Sequence, residues 1–434
     1  MSQRPDEIHL FEAFGVAVEY AVACADSLDV RPLADELIAE AAGDYAPAVA
    51  RGPATWSRRI ARHVIGIETS SPATEAAPVA EAFAESVGEL NRLAEQRGAR
   101  LVPGGMHPWM APADEAVLWD RGDARLPAAV DRAFGARRHP WSNAHGATLS
   151  LPFAGDHEFA RLLGAIRLVL PLVPALAASS PFRERRRRDS QSLRLRALQH
   201  RTPGLPGAGS LVPQFAASRA ELEAETLAPI YEALAPVDPD GMLRHPSIDS
   251  RAAVAIGGVI QLRASDVQEC PQADLAVAIA AMGATRALVE ERRLDGARQQ
   301  AWDTGRLESL LDETIDHGDQ ALLSDRDFLD AFGYPERGRC RARELWQHLF
   351  ETDVAGQAGA DAAGPVFELF IRRGNLANRL ADAVARRSAG RIDGNDGDTL
   401  RDVYRDLADC LRDNRLFDDA PAPGSTESAL LLPY

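Results

Sequence analysis

Gly15-Val16-Ala17-Val18-Glu19-Tyr20-Ala21-Val22 alternates along its length. The valines and Tyr20 fall on one face of an extended strand, while Ala17, Glu19 and Ala21 fall on the other. Working outward, His63–Thr69, Arg100–Pro103, Gly146–Leu151 and Val254–Ala264 read as further strands. Helical spacing marks Pro32–Ala42, Thr74–Gly98, Asp156–Ala178 and Ala273–Glu291, then Glu308–His317, Arg341–Phe350, Pro365–Arg386 and Asp398–Asn414. The strands lack βαβ regularity, and neither GxGxxG nor GxxxxGK[ST] occurs, which removes the Rossmann and P-loop classes. The expectation is one α+β domain over residues 1–434, with a mostly antiparallel sheet and a helical C-terminal part. Residues 183–213, arginine-rich and then punctuated by Pro203, Gly204, Pro206, Gly207 and Gly209, read as an exposed flexible loop, and 420–434 as a loosely held tail.

The chain has 434 residues, a net charge of −16 and no lysine among its 48 basic residues. This balance disfavours nucleic acid and anionic membrane as partners. Without lysine, Schiff-base catalysis and a P-loop lysine are impossible, so any bound anion must be held by arginine forks, backbone N–H groups or metal. Cys24, Cys270, Cys340 and Cys410 are far apart and form no CxxC pair, which argues against zinc and disulfides and for buried free thiols. Residues 1–7 lack a signal-peptide core, and the most apolar stretch, Leu162–Ala178, contains Arg167, Pro171 and Pro174 and reads as a buried helix. A cytoplasmic location is expected.

Seven stretches in order carry a resemblance to a known family: Phe14–Tyr20, His63–Thr69, Gly105–Trp109, Leu151–Gly155, Pro174–Phe182, Asp266–Pro271 and Arg372–Ala377. Together they resemble the type 2 glutamate–cysteine ligases, a carboxylate–amine ligase family. The resemblance implies a glutamine-synthetase-like fold, in which a curved antiparallel sheet forms a funnel with helices packed outside. It also implies Mg²⁺ and ATP as cofactors of active members, which convert a carboxylate to an acyl phosphate for attack by an amine. That chemistry needs clustered carboxylates to hold Mg²⁺ against polyphosphate.

The same resemblance exposes departures. Glutamates are expected at Ala17 and Gly66, a lysine at Glu68, a histidine and an asparagine at Thr148 and Ser150, and a glutamate at Gln261. Arginine, tyrosine and glutamate are expected at Gln191, Leu195 and Gln214. The strand positions share the inward face, so the polar residues are lost while the packing residues are kept. Glu19 reads as a remaining metal ligand or a solvated strand residue, and Glu68 as a second ligand or an unpaired acid. Arg263 projects with Gln261 and suits anion binding or an internal ion pair. Arg251 is a candidate for nucleotide or substrate, and His107 for a catalytic or a structural role. The leading expectation is a non-catalytic or regulatory subunit, paired with a homologous ligase or with itself. The rivals are an active ligase with a rebuilt pocket and a binding protein for an amino-acid-like ligand.

Overall fold

The computed structural model describes residues 8–122, 124–336, 338–357, 359–388 and 396–419. The N-terminal lead and the tail at 420–434 lie outside them. An eight-stranded sheet is built from β1 (Gly15–Cys24), β2 (Ala48–Arg51), β3 (Ala54–Arg58), β4 (Val64–Thr69), β5 (Ala99–Val102), β6 (Gly146–Pro152), β9 (Ala253–Ile256) and β10 (Val259–Asp266). The short hairpin β7 (Phe182–Arg183) and β8 (Arg186–Arg187) stands apart. The sheet runs β2-β3-β4-β1-β6-β10-β9, with β5 also on β1, and every pairing is antiparallel.

The alternation of β1 holds. Val16, Val18, Tyr20 and Val22 are buried, whereas Ala17 and Glu19 are only half-buried. The dry face joins Ile65, Ile67, Leu149, Leu151, Ile260 and Leu262 in a core that also takes in the helices Ala76–Glu95, Gly155–Val169 and Pro271–Val289. Two apolar helical spans, Gly155–Ala177 and Pro271–Val289, are long enough to cross a membrane, but both are core helices with most of their residues buried. Four free cysteines fit the thiol expectation, three of them buried.

Three expectations need correction. The strand foreseen over Val254–Ala264 is a hairpin, because Gly257 adopts φ 59° and, with Gly258, turns the chain in two residues. The helix foreseen over Pro365–Arg386 is two helices, Ala360–Arg373 and Leu376–Ser388. Gly374 ends the first at φ 80°, and the Asn375 side chain caps the second by accepting from the Asn378 N–H at 3.0 Å. A methyl at Gly374 would meet Arg343, Asn378 and Asp319 at 3.2 Å. Gly374→Ala is therefore expected to lower the unfolding free energy by about 1–3 kcal/mol, read by urea denaturation.

The third concerns 183–213, which is not an exposed loop throughout. Ser192 caps a helix over Leu193–Leu198, and Ser192, Leu193, Arg194, Leu195 and Ala197 are buried. An arginine can enter the core here because Asp266 neutralises it at 2.7 Å. The hairpin β2–β3 was not foreseen, since its four- and five-residue strands are too short to show a period.

Candidate functional site

The wet face of the sheet lines a cavity of about 710 Å³. Ala17, Glu19, Glu68, Thr148, Ser150, Gln261 and Arg263 all face it, as the period of two requires. Loop and helix residues close the wall, chiefly Arg59, Trp141, Arg194, Arg201 and His245. Two carboxylates thus share the cavity with four guanidiniums.

Register fixes the arrangement of the acids. Ala17 lies opposite Glu68, and Glu19 opposite Gly66, so positions 17, 19, 66 and 68 form a square on two adjacent strands. Directly opposed side chains on neighbouring strands are within reach of one another. Only one diagonal of the square, Glu19 and Glu68, carries acid. The space over Gly66 is filled by the Arg59 guanidinium, which any side chain at 66 would strike. Arg59 donates from Nε to Glu19 Oε1 at 2.6 Å, and its Nη2 lies 3.9 Å from Glu68 Oε2. Its Nη1 donates to Ser57 Oγ at 2.6 Å and to the Arg58 carbonyl at 3.2 Å. The second Glu19 oxygen accepts the Gly146 N–H at 3.1 Å. Both oxygens of Glu19 are thereby engaged by the protein.

The other arginines differ in how they are neutralised. Arg194 is salt-bridged to buried Asp266. Arg263 donates from Nε and Nη2 to the neutral Gln261 Oε1, at 3.2 and 2.7 Å. Arg201 stacks its guanidinium 4.1 Å from the Trp141 ring centroid, and its Nε has no hydrogen-bond partner. Burial, and then repulsion from Arg263, pull Arg201 down to about 10, and burial lowers Arg263 too.

Arg251 and His107 are not brought to this cavity. Arg251 is buried against Asp249 at 2.9 Å. His107 is buried with both ring nitrogens used, Nε2 on the Leu28 carbonyl at 2.8 Å and Nδ1 accepting the Met110 N–H at 3.2 Å. Its motif serves packing, with Trp109 edge-on at 4.7 Å. Gln191, Leu195 and Gln214 also lie off the cavity wall. Sequence reasoning missed Arg59, Arg201 and Trp141, which sit outside the strands where periodicity cannot place them.

The fold and the cavity on one sheet face define a class. Over 94% of this chain and 90% of that chain, the structure resembles glutamate–cysteine ligase from Francisella tularensis in complex with AMP, with TM-score 0.60 at 10% identity. The sequence matches glutamate–cysteine ligase family 2 (GCS2) over residues 13–393, and the chain belongs to that family. Relatives include an uncharacterised protein of Archaeoglobus fulgidus, 27% identical over 61% of this chain and 72% of its own length. A Rubrobacter xylanophilus protein provisionally named as a glutamate–cysteine ligase is 30% identical over 35% of this chain and 39% of its own.

The Mg²⁺ and nucleotide that the resemblance implies can be tested against these residues. Among the described residues no group of three or more His, Cys, Asp or Glu side chains comes together to hold a metal. The two acids nearest one another across the square share one arginine. A divalent ion between them would have to displace a guanidinium held by Glu19, Ser57 and a carbonyl. The donor set does not fit a multi-metal polyphosphate site.

Proposed function

We propose that this chain is a non-catalytic member of its family, acting by binding rather than by making an amide bond, as an accessory subunit beside a homologous ligase or a second copy of itself. The observation that carries this reading is the Arg59–Glu19 pair lying over Gly66, because a guanidinium stands where carboxylates would be needed to clamp a cation. Acyl-phosphate formation places several negative charges close together, and divalent ions are what usually offset them. Here the offsetting charge is a fixed side chain that cannot bridge phosphate oxygens to carboxylates. The AMP held by the Francisella tularensis enzyme motivates the rival, an active ligase with a rebuilt pocket.

Calorimetric titration with MgATP decides between them. No MgATP binding that depends on Glu19 is expected, and no ADP, AMP or phosphate release when amino-acid mixtures are added. Micromolar MgATP binding that disappears in Glu19→Gln, or turnover with any amino acid, would overturn the proposal.

A further inference from the structure

Among the described residues, neither Arg201 nor Arg263 has a carboxylate within ion-pair distance, although both line the cavity. The nearby acids other than Glu68, which lies 3.9 Å from Arg59, are already committed. Glu19 is held by Arg59 and the Gly146 N–H, Asp249 by Arg251, and Asp266 by Arg194. Burying a charge without a counter-charge is costly, and placing two like charges around one cavity adds repulsion. Salt bridges satisfy the buried Arg194 and Arg379, and the buried Arg167 is satisfied by the Pro213 and Trp302 carbonyls and Thr304 Oγ1, whereas the half-buried Arg201 and Arg263 face the cavity without a counter-charge. A surplus of positive charge facing an open volume is the electrostatic complement of an anion.

The neighbours supply the remainder of a site. Thr148 and Ser150 offer hydroxyls from the sheet, and His245 lines the same wall. Its Nδ1 accepts the Ser247 N–H at 3.2 Å, which makes Nε2 the donor, and burial and then Arg263 lower its pKa. Trp141 holds Arg201 flat by its stacking contact and itself lies 5.7 Å from Phe134, nearly parallel, which fixes the fork before any ligand arrives. The cavity of about 710 Å³ exceeds what a bare oxyanion fills and falls within the range of small-metabolite sites.

We propose that the cavity binds a small molecule through an oxyanion, a carboxylate or a phosphate group, bridged by the Arg201 and Arg263 guanidiniums without a metal ion. This rests on the non-catalytic reading, since the anion is retained rather than activated. Arginine forks bind both oxyanions through paired, charge-assisted hydrogen bonds and need no divalent ion to do so. The negative net charge of the whole chain does not prevent this, because screening limits exposed charges to about 8 Å at physiological ionic strength.

The test uses the full chain in EDTA, titrated calorimetrically with inorganic phosphate, pyrophosphate, succinate and citrate, and repeated with Mg²⁺. Saturable binding of at least one of these in EDTA is expected, and the phosphate and carboxylate arms tell which group the site prefers. Arg201→Gln and Arg263→Gln should each weaken that binding about tenfold or more, whereas Arg187→Gln, on an exposed strand of the hairpin, should not. Both cavity variants should keep or raise the melting temperature without ligand, because each removes one of two repelling charges. A purely structural arginine would instead lower it. Failure of all four anions to bind at millimolar concentration in EDTA, an absolute need for Mg²⁺, or unchanged affinity in both cavity variants would overturn the inference. Turnover of MgATP would sink the non-catalytic reading while leaving metal-free anion binding to be judged from the EDTA arm.

Discussion

Unfolding free energy is expected to fall by several kcal/mol as the pH drops from 7 to 5, before most carboxylates titrate. The cause is a group of buried neutral histidines next to the cavity wall. His63, His107 and His145 are at most 3% exposed. Burial pushes them down to about 4, 3 and 3, and repulsion from His145 and His63 adds to this at His107, as does repulsion from His63 at His145. Asp29 works the other way on His107, and Arg194 further lowers His145. In the unfolded chain each recovers a value near 6.5, so between about pH 4 and 6.5 the unfolded state binds protons that the folded state refuses. Stability is therefore complete above that window and is lost on descending through it, by about 2 kcal/mol per histidine at pH 5.

One buried acid opposes this trend. Asp274 accepts from Tyr20 Oη at 3.1 Å and from the Gln268 N–H at 2.7 Å, and burial raises its pKa well above the ordinary value. With its pKa raised in the fold, Asp274 holds its proton more tightly there than in the unfolded chain, so it favours the folded state as the pH falls and offsets part of the histidine effect. Guanidinium melts at pH 7 and pH 5 measure the net. Asp274→Asn should steepen the dependence and His63→Gln should flatten it. A stability that is level or rises toward pH 5 would refute the account.

The sequence and the structure agree best where one local rule suffices. Alternation in β1 told that Ala17 and Glu19 share a face, and the resemblance to the ligase family added positions 148, 150 and 261 to the inward set, all of which line the cavity. What that period cannot say is which residue stands beside which. The meeting of Ala17 with both Glu68 and Thr148 depends on register across three strands, a long-range property. Arg59 was invisible for a related reason. It lies just past the end of β3, in Arg58-Arg59-Ile60-Ala61-Arg62, where nothing in spacing separates an arginine aimed into a cavity from one in solvent. The run at 183–188 misled in the opposite direction. Its density of charge suggested exposure across the whole segment, yet the helix that follows is anchored by an aspartate more than seventy residues away in sequence.

That aspartate is expected to be among the most sensitive positions in the molecule. Asp266 is at the end of β10, and its carboxylate gathers the Ser179 N–H at 3.0 Å, Ser180 Oγ at 2.6 Å, Ser192 Oγ at 2.9 Å and Arg194 Nε at 2.7 Å. The side chains of the ion pair are 4% and 0% exposed. Asp266→Ala would leave a buried guanidinium without its counter-charge and two buried hydroxyls without their acceptor, for which about 3–5 kcal/mol of destabilisation is expected. Asp266→Asn keeps the shape and part of the hydrogen bonding, and should cost less. Removing both partners in Asp266→Leu/Arg194→Leu should recover a substantial part of the loss, because the penalty lies in the orphaned charge rather than in the pair's own worth. Equilibrium denaturation of the wild type, Asp266→Leu, Arg194→Leu and the double variant forms a double-mutant cycle, and additive single losses would contradict it. The cavity should report the same change. Arg194 also donates to the Arg263 carbonyl at 2.9 Å, so releasing it loosens the strand that carries one of the two unneutralised arginines. Anion affinity in Asp266→Asn should therefore fall even under conditions where the protein remains folded.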